Sequence, residues 1–194
     1  MPERLSSWLA DILREVMNIG GAHAATALAT LRKERVTIDV PKVELRRIED
    51  VPAALGHAGD VRAMTLHRIQ GDVTGIVMFS FDEQDGSAIS GQQKDGLDAL
   101  AETGNILAGA CLKAIGNFLD LRMQHTEPRA ITDYAGAVLN AVLADIGQHA
   151  DDTLFTRISF RMETSRIPGQ MVILFDPDSS QNILHAAQLK TSHP

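Results

Sequence analysis

The spacing Asp-x-x-x-Glu-x-x-Asn occurs twice, as Asp11/Glu15/Asn18 and as Asp98/Glu102/Asn105, and each copy is followed at the same distance by a proline, Pro41 and Pro128. Every member of the second set lies 87 positions after its counterpart (11 to 98, 15 to 102, 18 to 105, 41 to 128). A polar pattern repeated together with a downstream landmark points to two copies of one unit. The fold must then carry internal symmetry, and the function must be one that both copies can present.

The repeat is wider than its polar residues. Ile19 matches Ile106, Ala27 matches Ala114 and Leu31 matches Phe118 at the same offset. Further on, the apolar run GIVMFSFD ending at Asp82 corresponds to GQMVILFD ending at Asp176, now 94 positions later, so about seven residues entered the second copy. Loops absorb such insertions at small cost.

Two repeats of this size, about 1–94 and 95–194, are each near the lower limit for independent folding, while 194 residues at 44% hydrophobic content can bury one sizeable core. A single domain, 1–194, is expected. A net charge of -7 and a pI near 5.4 argue against nucleic acid or an anionic membrane as partner. No stretch approaches 18 apolar residues, the N-terminal segment is charged, and the one cysteine, Cys111, fits a reducing compartment. A soluble, cytoplasmic chain is expected.

Periodicity predicts the same element order in both halves. The first half reads as a helix from Ser6 to about Leu31, bent at Gly20-Gly21, with Leu5, Trp8, Leu9, Ile12, Val16 and Ile19 facing a core. A strand from Val36 to Arg47 follows, with Pro41 at an edge or bulge, then a helical turn at Pro52 to Leu55 and a hairpin of Arg62–Ile69 with Thr74–Phe81. The segment Asp82 to Lys94 reads as a linker with at most one helical turn. The second half reads as a helix at Leu97–Leu119, a strand at Leu121–Arg129, a longer helix at Asp133–Gln148, strands at Leu154–Met162 and Gln170–Phe175, and a last helix from Pro177 to about Leu189. At about 100° per residue, each triplet occupies an arc of roughly 60° well away from its helix's apolar stripe, which for the second helix is Leu100/Leu107/Cys111/Ile115/Phe118. Packing therefore does not explain the triplets.

Other features have plainer readings. One such triplet alone would be a solvated helix face. A dimetal site of the ferritin type needs Glu-x-x-His, and asparagine stands in the histidine's place. Gly20, Gly21 and Gly109 follow no strand, as a phosphate-binding loop would require, and read as sites of close helix packing. The seven histidines show no metal-ligand spacing and His23 reads as structural. Cys111, Trp8 and Tyr134 read as packing residues, Tyr134 anchoring the start of its helix, and Pro41 and Pro128 as strand constraints without a chemical role.

With these residues in view the chain resembles the CheC/CheX/FliY phosphatases of bacterial chemotaxis, whose signature is Asp or Ser-x-x-x-Glu-x-x-Asn followed by 22 residues and a proline. Both copies match it, and the likeness extends through EVMNIGGAHAATAL, ETGNILAGACLKAI and YAGAVLNAVLADIG. Two complete motifs look more like CheC than like CheX, which carries one per subunit and pairs as a dimer; FliY-type chains are similar but carry an additional switch-protein domain not seen here.

The resemblance implies an α/β fold with an internal pseudo-twofold repeat: an antiparallel, roughly six-stranded sheet with the two long motif-bearing helices side by side on one face. It implies a protein phosphatase that hydrolyses the aspartyl phosphate of a CheY-like response regulator. Asn18 and Asn105 would orient the attacking water. Glu15 and Glu102 would engage a cation on the regulator, and Asp11 and Asp98 would support them. No cofactor is expected on this chain, Mg2+ being held by the regulator. A CheD-like deamidase is a further partner of CheC-like chains, and a monomer or weak homodimer is expected. The rival readings are a non-catalytic adaptor or sink for the phosphorylated regulator, related to flagellar switch proteins, and a small-molecule phosphatase, which would need a pocket with basic or metal ligands at the triplets.

Overall fold

The computed structural model describes residues 5–56, 58–89, 96–146 and 152–191. The first half runs α1 (Ser7–Arg32), β1 (Val36–Ile38), β2 (Lys42–Arg47), a 3-10 turn at Ile48–Asp50 leading into α2 (Val51–Ala54), β3 (Val61–Gly71), β4 (Gly75–Asp82) and α3 (Glu83–Ile89). The second half runs α4 (Gly96–Leu119), β5 (Met123–His125), β6 (Arg129–Tyr134), α5 (Ala135–Ile146), β7 (Asp152–Met162), β8 (Pro168–Phe175) and α6 (Pro177–Thr191).

The sheet is antiparallel and six strands wide, in the order β1-β7-β8-β4-β3-β5, with β2 continuing the edge along β7 and β6 the other edge along β3. Each edge is thus one strand broken in two, and the breaks fall at Pro41 and Pro128. A proline cannot donate to a ladder, so it interrupts pairing where it stands. The halves also exchange edges. β1 and β2 pair with β7, and β5 and β6 pair with β3, so neither edge strand is held by the hairpin of its own half. The two hairpins meet only through β4 and β8.

Both faces are covered, which is why β4 reads as an almost unbroken apolar run rather than an alternating one. Val77, Phe79 and Phe81 of β4 and Met171, Ile173 and Phe175 of β8 turn to the face packed by α1, α4 and α6. Ile76, Met78, Val172 and Leu174 turn to the other, where Val51 of α2 and Ala135, Val138, Leu139 and Leu143 of α5 cover them. The expected architecture holds, with the two long helices adjacent on one face.

Several expectations need correction. The segment after β4 is a seven-residue helix, α3, whose Gly86 packs against Ala63 so closely that a Cβ there would lie 2.3 Å from the alanine Cβ; residues 90–94 of the expected linker lie outside the described residues. The expected helix at Asp133 begins at Ala135, because Asp133 and Tyr134 pair with Arg62 and Val61 as the end of β6. Gln148, its expected end, also lies outside the described residues, as do His57, His149 and His193. Tyr134 is 56% exposed, not a packing residue. α1 is one continuous helix through Gly20-Gly21, capped by Ser6, whose hydroxyl accepts from the Leu9 amide, and closed by Lys33 in the left-handed conformation.

Candidate functional site

The triplet residues owe their positions to what their helices bury. α1 packs through Leu9, Leu13, Val16 and Met17 and then through small residues, Gly20, Gly21, Ala24 and Ala25, before Leu28. The face centred on these residues lies roughly opposite the arc of Asp11, Glu15 and Asn18 on a helical projection. Trp8, expected in the apolar stripe, is 51% exposed and stands on the triplet's side; Ile12 and Ile19 are half-buried. α4 packs through Leu100, Gly104, Leu107, Ala108, Cys111, Leu112 and Ile115, while Phe118, also expected in a stripe, is 38% exposed. His23 is exposed on α1 and has no packing role.

Glycines set how closely the two helices approach each other and the sheet. A Cβ on Gly20, two residues after Asn18, would lie 2.7 Å from Ile115 side-chain carbons and 3.0 Å from Cys111 Sγ. One on Gly21 would lie 2.8 Å from Ile158 of β7. On α4, the residue before Asn105 is Gly104, where a Cβ would come within 2.3 to 2.8 Å of the Thr65 side chain on β3. Gly20 and Gly21 are packing sites, as their sequence context predicts, and Gly104 is one that the sequence reading did not single out. Gly104→Ala is expected to destabilise the chain by about 1–3 kcal/mol through overpacking, although alanine suits a helix better by about 1 kcal/mol. Thr65→Ala should recover part of the loss, since it removes two of the three clashing atoms; urea titrations of the single and double variants measure it.

Asp11, Glu15, Asp98, Glu102 and Asn105 are exposed, and Asn18 is half-buried. All six stand on the outer surface of the helix pair. Asp11 is engaged by the Arg14 guanidinium. The position 87 residues after Arg14 is Ala101, so the arginine is not repeated; Asp98 lies in the first turn of α4, where a carboxylate is favoured by the helix dipole. Of the downstream prolines, Pro41 is buried and Pro128 half-buried, each at the break of an edge strand. Cavities of about 490 and 420 Å³, one beside Leu66, Ile76 and Ile131 and one beside Arg62, Asp82 and Gln170, take no lining residue from either triplet. Among the described residues no three His, Cys, Asp or Glu side chains converge as metal ligands. Each row sets two carboxylates and an amide along the outer side of its helix, with only Asn18 half-buried.

Beneath α4 lies a pair that spacing does not reveal. His67 of β3 is 1% exposed, its ring 5.2 Å from that of His125 on β5, with Nε2 3.4 Å from Thr65 Oγ1 and Nδ1 without a hydrogen-bond partner. The two residues are 58 apart in sequence, and only the pairing of β3 with β5 joins them. Burial, reinforced by His125, lowers the His67 pKa from 6.5 to about 4. The folded state therefore refuses a proton that the unfolded state takes up below 6.5. Stability from this residue is complete above pH 6.5 and is lost as pH falls toward 4, by roughly 2–3 kcal/mol. Denaturation midpoints across that range should show the slope in the parent chain and a flatter one in His67→Leu.

Comparison with known proteins agrees with this arrangement. Residues 10–45, which hold the first triplet and Pro41, match the CheC-like family. The chain is 29% identical over 196 residues to the CheY-P phosphatase CheC of Bacillus subtilis (strain 168), covering 91% of this chain and 92% of that protein. FliY of Thermotoga maritima superposes with a TM-score of 0.76 at 14% identity, covering 96% of this chain and 98% of that one. The middle domain of FliM from H. pylori superposes with a TM-score of 0.63 at 8% identity, covering 94% and 99%. The last two likenesses show a shared fold. Among the described residues, no helix is long and apolar enough to cross a membrane.

Proposed function

We propose that this chain is a cytoplasmic phosphatase for the aspartyl phosphate of a CheY-like response regulator, a reading supported by its similarity in sequence to CheC and in fold to FliY. The observation that carries the reading is that two asparagines at equivalent places on adjacent helices both reach solvent, each one turn after a glutamate on the same outer face.

Phosphoryl transfer proceeds through a loose transition state, so catalysis consists mainly of holding the attacking water in line and balancing charge. A carboxamide suits the first task because it both donates and accepts hydrogen bonds. Asn18 or Asn105, entering the regulator's phosphorylated pocket, accepts a hydrogen bond from the water and fixes its direction toward phosphorus. Glu15 or Glu102 pairs with a cation on the regulator, most simply the lysine that contacts the phosphoryl group, and so sets the docking register. Asp11 and Asp98 extend the acidic face. Charge at the phosphoryl oxygens would be balanced by Mg2+ held on the regulator, this chain contributing the amide and the carboxylate. Water is the nucleophile, and no covalent phospho-intermediate forms on this chain.

The second reading, an adaptor that binds the phosphorylated regulator without hydrolysing it, is favoured by the fold shared with the FliM middle domain. Incubation with a regulator carrying a radiolabelled phosphoryl group separates the two. A phosphatase releases label as inorganic phosphate faster than the regulator does alone, at substoichiometric amounts of this chain. An adaptor retains label on the regulator.

A further inference from the structure

The row on α1 does not end at Asp11. Trp8, Asp11, Glu15 and Asn18 follow one another at spacings of three, four and three, the spacing at which helical neighbours stack along one face. The Trp8 indole is 51% exposed although α1 buries ten residues on its other side, and Ile12 and Ile19 flank the row half-buried. Solitary exposed apolar residues are common, but this one continues a line of functional side chains, and tryptophan is enriched where a few residues carry the energy of a protein interface. The rise of an α-helix sets it about 15 Å from Asn18 along the axis. A partner whose pocket receives Asn18 would therefore meet Trp8 with its surface beside that pocket. The position 87 residues later is Asp95, so the second row has no tryptophan at the equivalent place.

We infer that Trp8 is the apolar anchor of a docking surface on α1, formed with Asp11 and Glu15, for a regulator receiver domain that presents an apolar patch about 15 Å from its phosphorylated aspartate, with basic groups between. This rests on the phosphatase reading and goes beyond it by making the rows unlike: α1 grips its partner partly through a tryptophan that α4 lacks.

Trp8 is the single tryptophan of the chain, so 5-fluorotryptophan labels it uniquely. The labelled full chain is titrated with regulator carrying beryllofluoride on its aspartate, and the fluorine resonance is expected to shift or broaden to saturation. In an Asn105→Ala background, where the α1 row acts alone, Trp8→Ala is expected to raise KM for the phosphorylated regulator about 10-fold with kcat unchanged. Trp8→Phe should recover most of the loss, and Leu31→Ala, at the far end of α1, should leave KM where it was. A fluorine signal unmoved by a regulator that the chain hydrolyses overturns the anchor and leaves the phosphatase reading intact, as does an unchanged KM in Trp8→Ala. A moved signal without hydrolysis keeps the docking surface and overturns the phosphatase reading. Neither signal nor hydrolysis overturns both.

Discussion

A chain carrying both Asn18→Ala and Asn105→Ala is expected to leave the regulator's aspartyl phosphate to decay at the regulator's own rate. The loss of acceleration should be on the order of 10²-fold or more, the scale seen when one well-placed polar group is removed from a transition state. The substitution isolates the chemistry from the fold. Asn105 is exposed and Asn18 half-buried. Neither side chain belongs to the core, and alanine is the better helix former, so thermal stability should be unchanged or slightly higher. Asn→Asp at both positions is expected to be as inactive as alanine, since it keeps the shape but removes the N–H donors and sets a negative charge against the phosphoryl group. The single substitutions divide the activity between the rows, and their ratio measures how far the half-burial of Asn18 restrains it. Full activity in the double variant would reject the asparagine mechanism, whatever became of binding.

Expressed apart, residues 1–94 and 95–194 are each expected to fail to fold as monomers, and to regain the parent circular dichroism spectrum and a cooperative melt when mixed. The reason is the exchange of edges. In 1–94 the strands β1 and β2 lose β7, and in 95–194 the strands β5 and β6 lose β3. Helix packing is lost with them. Leu13, Val16, Met17 and Leu28 of α1 are at most 1% exposed in the whole chain, within a core shared with α4. Uncovering four such side chains costs roughly 6–12 kcal/mol, comparable to the entire stability of a domain. The expectation fails if either half alone is monomeric and melts cooperatively, in which case the chain is two domains rather than one.

Hydrophobic periodicity made the two long helices legible in sequence, and the prolines the sheet's edges, because each rests on local chemistry. Pro41 and Pro128 mark edges since they lack an N–H, and the near-continuous apolar run of β4 announces burial on both sides. What could not be read rests on contacts distant in sequence or on residues that carry little hydrophobic weight. The inward face of α1 is half glycine and alanine, so the large apolar residues alone, Trp8 among them, point to the wrong side of the helix. Trp8 could have been assigned from its place in the row with Asp11, Glu15 and Asn18. α3 looked like a linker because Gly86 is what its close approach to Ala63 demands, while glycine elsewhere signals a loop. Nothing local announces that β1 joins β7 or that His67 meets His125; both follow from the exchange of strands between halves.

The two interrupted borders of the sheet bear on solution behaviour. An open β-border is a template on which other chains can lengthen a sheet, and long flat ones seed fibres. Here each border offers only a three-residue and a six-residue piece separated by a proline. The interruptions thereby limit self-templating while leaving the flanks of the sheet open to solvent.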